Sequence, residues 1–194
     1  MPHRVSASWL GDEQADRLLA YVIEAQACFR PTKVLFANAS EACIDESARR
    51  SLVMTDLGPY SELLRDKVQA LQSDLEREFG MGHVPTREIE MEVVAHGDGG
   101  FYHLHIDTFA GTGAINGANR RLSLVYYFHR RPRLFSGGRL RLLGLGNAQT
   151  VAIEPAHDTL LAFPSFLPHE VEKVSCAGAS FADSRFAVNI WLYG

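Results

Sequence analysis

His105 and Asp107 stand two residues apart in Tyr102-His103-Leu104-His105-Ile106-Asp107, a segment with the composition of a β-strand. Alternate residues of a strand point to the same face. The imidazole and the carboxylate can therefore converge on one metal ion, with Ile106 directed into the core. A third ligand must come from elsewhere in the chain. His169, in Phe163-Pro164-Ser165-Phe166-Leu167-Pro168-His169-Glu170-Val171, is the best candidate. Two histidines and one carboxylate on one side of an ion, with the remaining positions open, suit non-heme Fe(II) and oxygen chemistry.

The His-x-Asp pair carries little weight alone. Eight histidines and ten aspartates in 194 residues give about 0.4 such pairs by chance. A second pair does occur at His96 and Asp98. It lies in His96-Gly97-Asp98-Gly99-Gly100, whose glycines mark a turn, where an i, i+2 relation does not force convergence. That pair is read as structural.

The elements that must position these residues fall into two regions. Residues 12–28 place Ala15, Leu18, Leu19, Val22 and Ile23 on one helical face. Residues 33–37 and 50–55 read as short strands around a polar loop. A second helix runs from Pro59 to Phe79 with Tyr60, Leu63, Leu64, Val68, Leu71 and Leu75 on its apolar side, and Gly80 stops it. From residue 86 the period changes to two, with Gly or Pro every 8–15 residues, the pattern of a sandwich or barrel. The expectation is one α+β, mainly β domain over 1–194. Residues 1–85 form a helical support region packed on one outer face of a double-stranded β-helix, or jelly roll, over 86–194.

Five motifs follow one another in that second region: Tyr102-x-x-His105-x-Asp107, the Tyr126-Tyr127 strand, the Gly137-Gly138 hairpin, His169-Glu170-Val171, and Arg185-Phe-Ala-Val-Asn-Ile-Trp191. In this order the chain resembles the Fe(II)/2-oxoglutarate-dependent dioxygenases, in their prolyl 4-hydroxylase-like branch, over roughly residues 86 to 194. The resemblance implies Fe(II) held by His105, Asp107 and His169, 2-oxoglutarate as cosubstrate, and ascorbate as a compatible reductant. It implies hydroxylation of an unactivated C–H bond with release of succinate and CO2. Arg185 would hold the distal carboxylate of 2-oxoglutarate, since a guanidinium stays charged and binds a carboxylate bidentately. Tyr127 either donates to that carboxylate or packs in the core. Strand alternation puts it with Ser123, Val125 and His129, opposite Tyr126. Tyr102 takes the first motif position in the cosubstrate pocket. Arg120 or Arg121 would border the substrate entrance, His103 shares the parity of His105, and Trp191 and Asn189 share that of Arg185. Two departures from the family pattern stand out. The segment 175–184 lengthens the spacing between His169 and Arg185, and His96 stands where relatives often carry a tyrosine, leaving one pocket contact missing or supplied by His96.

Composition narrows the alternatives. The apolar fraction of 46% is that of a globular domain, and a net charge of −4 offers no general attraction to nucleic acid or anionic membrane. With three lysines and no exposed aromatics interleaved among Arg120, Arg121, Arg130, Arg131, Arg133, Arg139 and Arg141, the arginines read as a solvated face or an acidic-ligand site, not as a nucleic-acid surface. No apolar run is long enough to span a membrane and the first residues lack a signal-peptide core. Cys28, Cys43 and Cys176 have no metal-like spacing, which favours a reducing, cytoplasmic setting. The partner is a small-molecule or peptide substrate. A cupin-type metalloenzyme is the nearest alternative, because His103-Leu104-His105 has the His-x-His form, but no Glu follows at the required spacing. A non-catalytic jelly-roll binding module is the other. The small-residue stretch from Thr108 to Asn119 reads as a lid over the substrate or as a passive hairpin.

Overall fold

A computed structural model describes residues 1–34, 42–108, 119–144, 146 and 149–194. Two antiparallel sheets dominate it. The larger has seven strands, in the spatial order β1 (Arg4–Ala7), β11 (Thr159–Pro164), β7 (Arg120–Phe128), β14 (Arg185–Tyr193), β5 (Glu88–His96), β4 (Leu52–Met54) and β2 (Arg30–Pro31). The smaller has five: β10 (Val151–Ile153), β9 (Leu140–Leu142), β12 (His169–Val171), β6 (Phe101–His105) and β3 (Arg49–Arg50). A short pair, β8 (Ser136–Gly137) with β13 (Val174–Ser175), completes the described strands. Neighbours in space are mostly distant in sequence, the mark of a jelly roll.

The large sheet is buried on both faces, and the alternation of its central strands decides what goes where. Leu122, Leu124, Tyr126 and Phe128 of β7, with Phe186, Val188, Ile190 and Leu192 of β14, join one core with Leu18 and Val22 of α1 (Asp12–Glu24) and Leu64, Val68 and Leu75 of α2 (Tyr60–Glu78). The opposite face of the same strands gives Val125, Tyr127 and Ala187 to a second core. There they meet Leu140, Leu142, Ile153 and Leu167 of the small-sheet side. The helices thus cover one face, as their apolar stripes require, and the small sheet covers the other.

The N-terminal region is not helices alone. It adds β1, β2 and β4 to the large sheet and β3 to the small one. The strand at Arg4–Ala7 is too short and half-exposed to show a pattern. It is fixed by pairing with β11, and by Asp158, which accepts hydrogen bonds from the backbone N–H of Leu10 and Gly11 and from Tyr126 Oη. The expected helix over 12–28 is α-helical to Glu24 and ends in a 3-10 turn over Ala25–Cys28. Of the strand expected at 33–37, Val34 forms an isolated bridge to Cys43, and residues 35–37 lie outside the described residues. So does most of the stretch expected to act as a lid, from 109 to 118.

Ile106 is a correction. The alternation placed it in the core, whereas it is 49% exposed, next to Leu104 at 53%. Among the described residues no further layer covers the outward face of the small sheet here, so Leu104 and Ile106 are left exposed.

Candidate active site

His105 ends β6 and His169 begins β12, and the two are directly opposed in the antiparallel pairing. Their ring centroids are 4.1 Å apart. Asp107 lies two residues beyond the end of β6, held by its backbone N–H to the Ser165 carbonyl at 3.0 Å. Its carboxylate oxygens are 3.7 Å from His105 Nε2 and 3.5 Å from His169 Nε2. One ligand atom from each of the three residues falls within 4.8 Å of the others, and among the described residues no other His, Cys, Asp or Glu group does this.

Hydrogen bonds outside the triad fix how it presents itself. His105 Nδ1 lies 2.8 Å from the His103 carbonyl and His169 Nδ1 2.9 Å from the Leu167 carbonyl. A carbonyl only accepts, so each Nδ1 carries the proton and each Nε2 offers a lone pair to the shared point. Ser123 Oγ donates to Asp107 Oδ2 at 2.7 Å and is itself 2.8 Å from Ser165 Oγ. Burial pushes the Asp107 carboxyl up. The His169 and His105 imidazoles, with hydrogen bonds from Ser123 and Trp191, outweigh burial and hold it below the usual range. Burial, and after it the neighbouring His169, lowers His105. A carboxylate and two Nε2 atoms turned to one point form a ligand set suited to a divalent cation.

A bulge in β6 settles which neighbours share the site. Between Val171 and His169 the partner residue moves from Tyr102 to His105, one residue more than regular pairing allows. Tyr102 and His105 therefore come to the same face and stack, with centroids 3.5 Å apart. His103, expected on the face of His105, is turned out and exposed. Its ring contacts Phe101 and only its carbonyl serves the triad. The His-x-His pair of a cupin is thus not assembled.

Arg185 lies on another wall of the cavity that Asp107 and His169 also line. It is 1% exposed. Nε donates to the Gly138 carbonyl at 2.7 Å, and the guanidinium carbon sits 4.9 Å from the centre of the Tyr127 ring. The glycine is required, because a Cβ at position 138 would come 2.7 Å from Arg185 Cδ, at a φ of +69°. No carboxylate is paired with this buried cation among the described residues. Among the described residues, Arg185 Nη2 and His96 Nε2 are buried without a hydrogen-bond partner, and Tyr127 Oη has none beyond the Arg185 guanidinium beside it. Leaving such groups unpaired is costly, and an anionic ligand would satisfy them. Burial raises the Tyr127 hydroxyl to about 12, against the opposing effect of Arg185, so it is a donor.

The remaining nominated residues divide. Trp191 faces the cavity beneath Arg120, whose guanidinium carbon is 3.8 Å from the indole centre and whose Nη2 pairs with Glu90 at 2.6 Å. Arg121 is directed away, donating to the Gly82 carbonyl at 2.7 Å, because it alternates with Arg120 along β7. The His96–Asp98 pair does not assemble. Asp98 accepts from the Cys176 backbone N–H at 2.8 Å, while His96 is buried beside Arg185. Arg49 escaped the sequence reading. It is buried in the cavity wall against Tyr102 and pairs with Glu92 at 3.3 Å, and Asn189 donates to the same Glu92 oxygen at 3.1 Å. No motif surrounds it, since β3 is two residues long. Ser123 was placed on the Tyr127 face by alternation, but its tie to Asp107 could not be read.

Comparison with known proteins agrees with this geometry. The model of the 2OG-Fe(II) oxygenase superfamily matches residues 91–193. An uncharacterised PKHD-type hydroxylase of Synechocystis is 34% identical over 140 residues, covering 68% of this chain and 45% of that protein. Human Egl nine homolog 1 is 29% identical over 134 residues, covering 68% of this chain and 28% of that protein. The chain thus spans less than half the length of these curated relatives. Among solved structures, a Pseudomonas putida prolyl-4-hydroxylase superposes with a TM-score of 0.72 at 18% identity, covering 100% of this chain and 93% of that one. A Trichoplax adhaerens prolyl hydroxylase in complex with a hypoxia-inducible-factor peptide fragment gives 0.71 at 20% identity, covering 99% and 83%. With two histidines and an aspartate converging on one point, an unpaired buried arginine in the same cavity, and a family match over most of the β-region that carries both, the chain belongs to the 2OG-Fe(II) oxygenase superfamily.

Proposed function

We propose that this protein is a 2-oxoglutarate- and O2-dependent Fe(II) dioxygenase that hydroxylates an unactivated C–H bond of a prolyl, peptidyl or amino-acid-like substrate. The observation that carries this reading is the pairing, in one cavity, of the three-residue ligand set with the unpaired Arg185 guanidinium. Fe(II), O2 and 2-oxoglutarate together supply substrate oxidation coupled to conversion of the cosubstrate to succinate and CO2.

The residues have distinct tasks. His105, Asp107 and His169 hold the metal through Nε2 and carboxylate oxygens, and three ligands leave room for others. Arg185 and Tyr127 hold the distal carboxylate. Tyr102 stacks on His105 and limits its rotation. Trp191, with Arg120 over its ring, forms the wall facing the substrate. The presence of Asp107 favours hydroxylation over halogenation, because its carboxylate fills the position a halide would need. Prolyl and peptidyl substrates lead because solved structures of like fold include prolyl hydroxylases, one of them in complex with a peptide. Three unpaired cysteines support a reducing, cytoplasmic setting, and no described helix is long and apolar enough to cross a membrane.

The test is a mass-shift screen. Protein with Fe(II), 2-oxoglutarate and O2 is incubated with proline-containing peptides, free amino acids and cell lysate. Succinate release coupled to one added oxygen on a substrate is the expected result. Absence of succinate under all conditions would overturn the reading.

A further inference from the structure

The outward face of the small sheet carries an ordered pattern of charge. Leu140 and Leu142 of β9 and His169 and Val171 of β12 are buried on the inner side, so by alternation Arg139, Arg141, Glu170 and Glu172 point outward. The strand pairing sets them in rows. Glu170 stands opposite Arg141, and in the next row the Glu172 backbone N–H donates to the Arg139 carbonyl. One strip of the face is basic and the strip beside it acidic. Within the chain the strips pair, Arg141 with Glu170 at 2.7 Å and Arg139 with Glu172 at 2.8 Å. These bonds use Nη1 of Arg141 and Nε and Nη2 of Arg139, so each guanidinium, with its five N–H groups, keeps donors to spare. Beyond the acidic strip lies Leu104 of β6, 53% exposed. Beyond the basic strip lies Ala152 of β10, opposite Arg141 and also exposed. Leu143 and Pro168, both half-buried, meet through their backbones at the end of the rows.

This face is complementary to itself. A half-turn about an axis that runs along the strands between β9 and β12 exchanges the two strips and keeps the rows. A second copy laid face to face in that way sets its acidic strip over the basic strip of the first. The same half-turn sets Leu104 over Ala152, a large apolar side chain over a small one, and Leu143 over Pro168. In none of these rows do like charges meet. A symmetric dimer requires a patch of this kind, since each surface must recognise its own image.

We propose that the outward face of the small sheet is a homodimer interface, in which Arg139 and Arg141 of one copy face Glu170 and Glu172 of the other. Two sheets packed face to face lie about 10 Å apart, a gap that arginine and glutamate side chains reaching from opposite sides can close. Ion pairs left in water contribute little. A second copy excludes that water and gives every charge a second opposite neighbour, while covering Leu104. A uniformly acidic or basic partner would meet its own sign over half of the face and be repelled there. A second copy meets its own sign nowhere in these rows. The interface backs the strands that carry His105 and His169 and does not depend on the reaction assigned to them.

The test is sedimentation velocity on the full chain at about 50 µM, where a dimer of micromolar affinity is largely assembled. Two charge variants are compared with the wild type. Arg139→Glu with Arg141→Glu makes both strips acidic, and Glu170→Arg with Glu172→Arg makes both basic. The expected result is a dimer for the wild type, a monomer for each variant alone, and a dimer holding one of each when the two are mixed in equal amounts. Restoration on mixing can come only from contacts between copies. Ala152→Glu, which leaves every intrachain pair in place, should weaken the wild-type dimer tenfold or more by setting a charge against Leu104. Circular dichroism checks that all variants are folded. A wild type that sediments as a monomer would overturn the proposal. So would dimers that persist in both charge variants alone, since they would use another surface. Folded monomeric variants that fail to recombine, or an Ala152→Glu dimer as tight as the wild type, would overturn the facing of the strips.

Discussion

Ser123 donates its hydroxyl proton to Asp107 at 2.7 Å, from the strand of the large sheet to a ligand that follows the last strand residue of the small one. This bond joins the two layers at the metal site. It also helps to fix the one residue of the triad that no strand holds, since Asp107 lies beyond β6 and is otherwise tied by its backbone bond to Ser165 and by Trp191.

Ser123→Ala should therefore weaken metal binding while leaving all three ligands in place. Loss of an outer hydrogen bond to a ligand costs about 10–100-fold in metal affinity. Mn(II) titration followed by paramagnetic resonance would show this, and Asp107→Ala should be weaker still. If Ser123→Ala bound Mn(II) as tightly as the wild type, the serine would be a packing residue.

Arg185→Leu should abolish 2-oxoglutarate binding at ordinary concentrations without affecting Mn(II). Truncating one side of a desolvated, charge-assisted pair costs roughly 2–5 kcal/mol, or about 30- to several-thousand-fold in affinity. Calorimetric titration of both ligands would separate the two effects. Unchanged cosubstrate affinity would mean that the carboxylate is held elsewhere.

His96 links stability to pH, and the sign follows from burial. Its folded pKa lies well below the ordinary value, so below about pH 6.5 the unfolded chain takes up a proton that the folded one refuses. Stability from this group is thus present above that pH and is lost on acidification. Between pH 7.5 and 5.5 the wild type should lose roughly 1.4 kcal/mol more than His96→Phe, as measured by urea unfolding of the metal-free proteins. Parallel losses in the two proteins would mean that His96 is protonated when folded.

Asp158→Ala should destabilise the fold and spare the site. It would orphan the buried Tyr126 hydroxyl and the backbone N–H groups of Leu10 and Gly11. One unsatisfied buried group costs about 1–3 kcal/mol, and here a strand and a helix start depend on the same side chain. Thermal unfolding should show a clear drop, with Mn(II) affinity unchanged below the transition. Asp158→Asn, which keeps an acceptor and tolerates the φ of +52°, should lose less.

The sequence by itself determined the two helices, the change to strand periodicity after residue 86, the faces of β7 and β14, and which three residues to nominate as ligands. Each of these is local. A helical stripe or a strand alternation is set by neighbours in the chain, and the ligand set is a choice of residue types with motifs around it. What the tertiary structure decided depends on partners distant in sequence. The bulge in β6 brought Tyr102 to His105 and turned His103 out, because an extra residue reverses strand parity and only pairing with β12 reveals it. The exposure of Ile106 follows from the lack, among the described residues, of a layer over the small sheet, which no residue near it announces. Arg49 and His96 entered the cavity through β3 and the end of β5. Arg121 left it because it alternates with Arg120, and only the packed sheets show which side is the inside. The residue types fixed which chemistry was available. Long-range pairing decided which side chains could reach it.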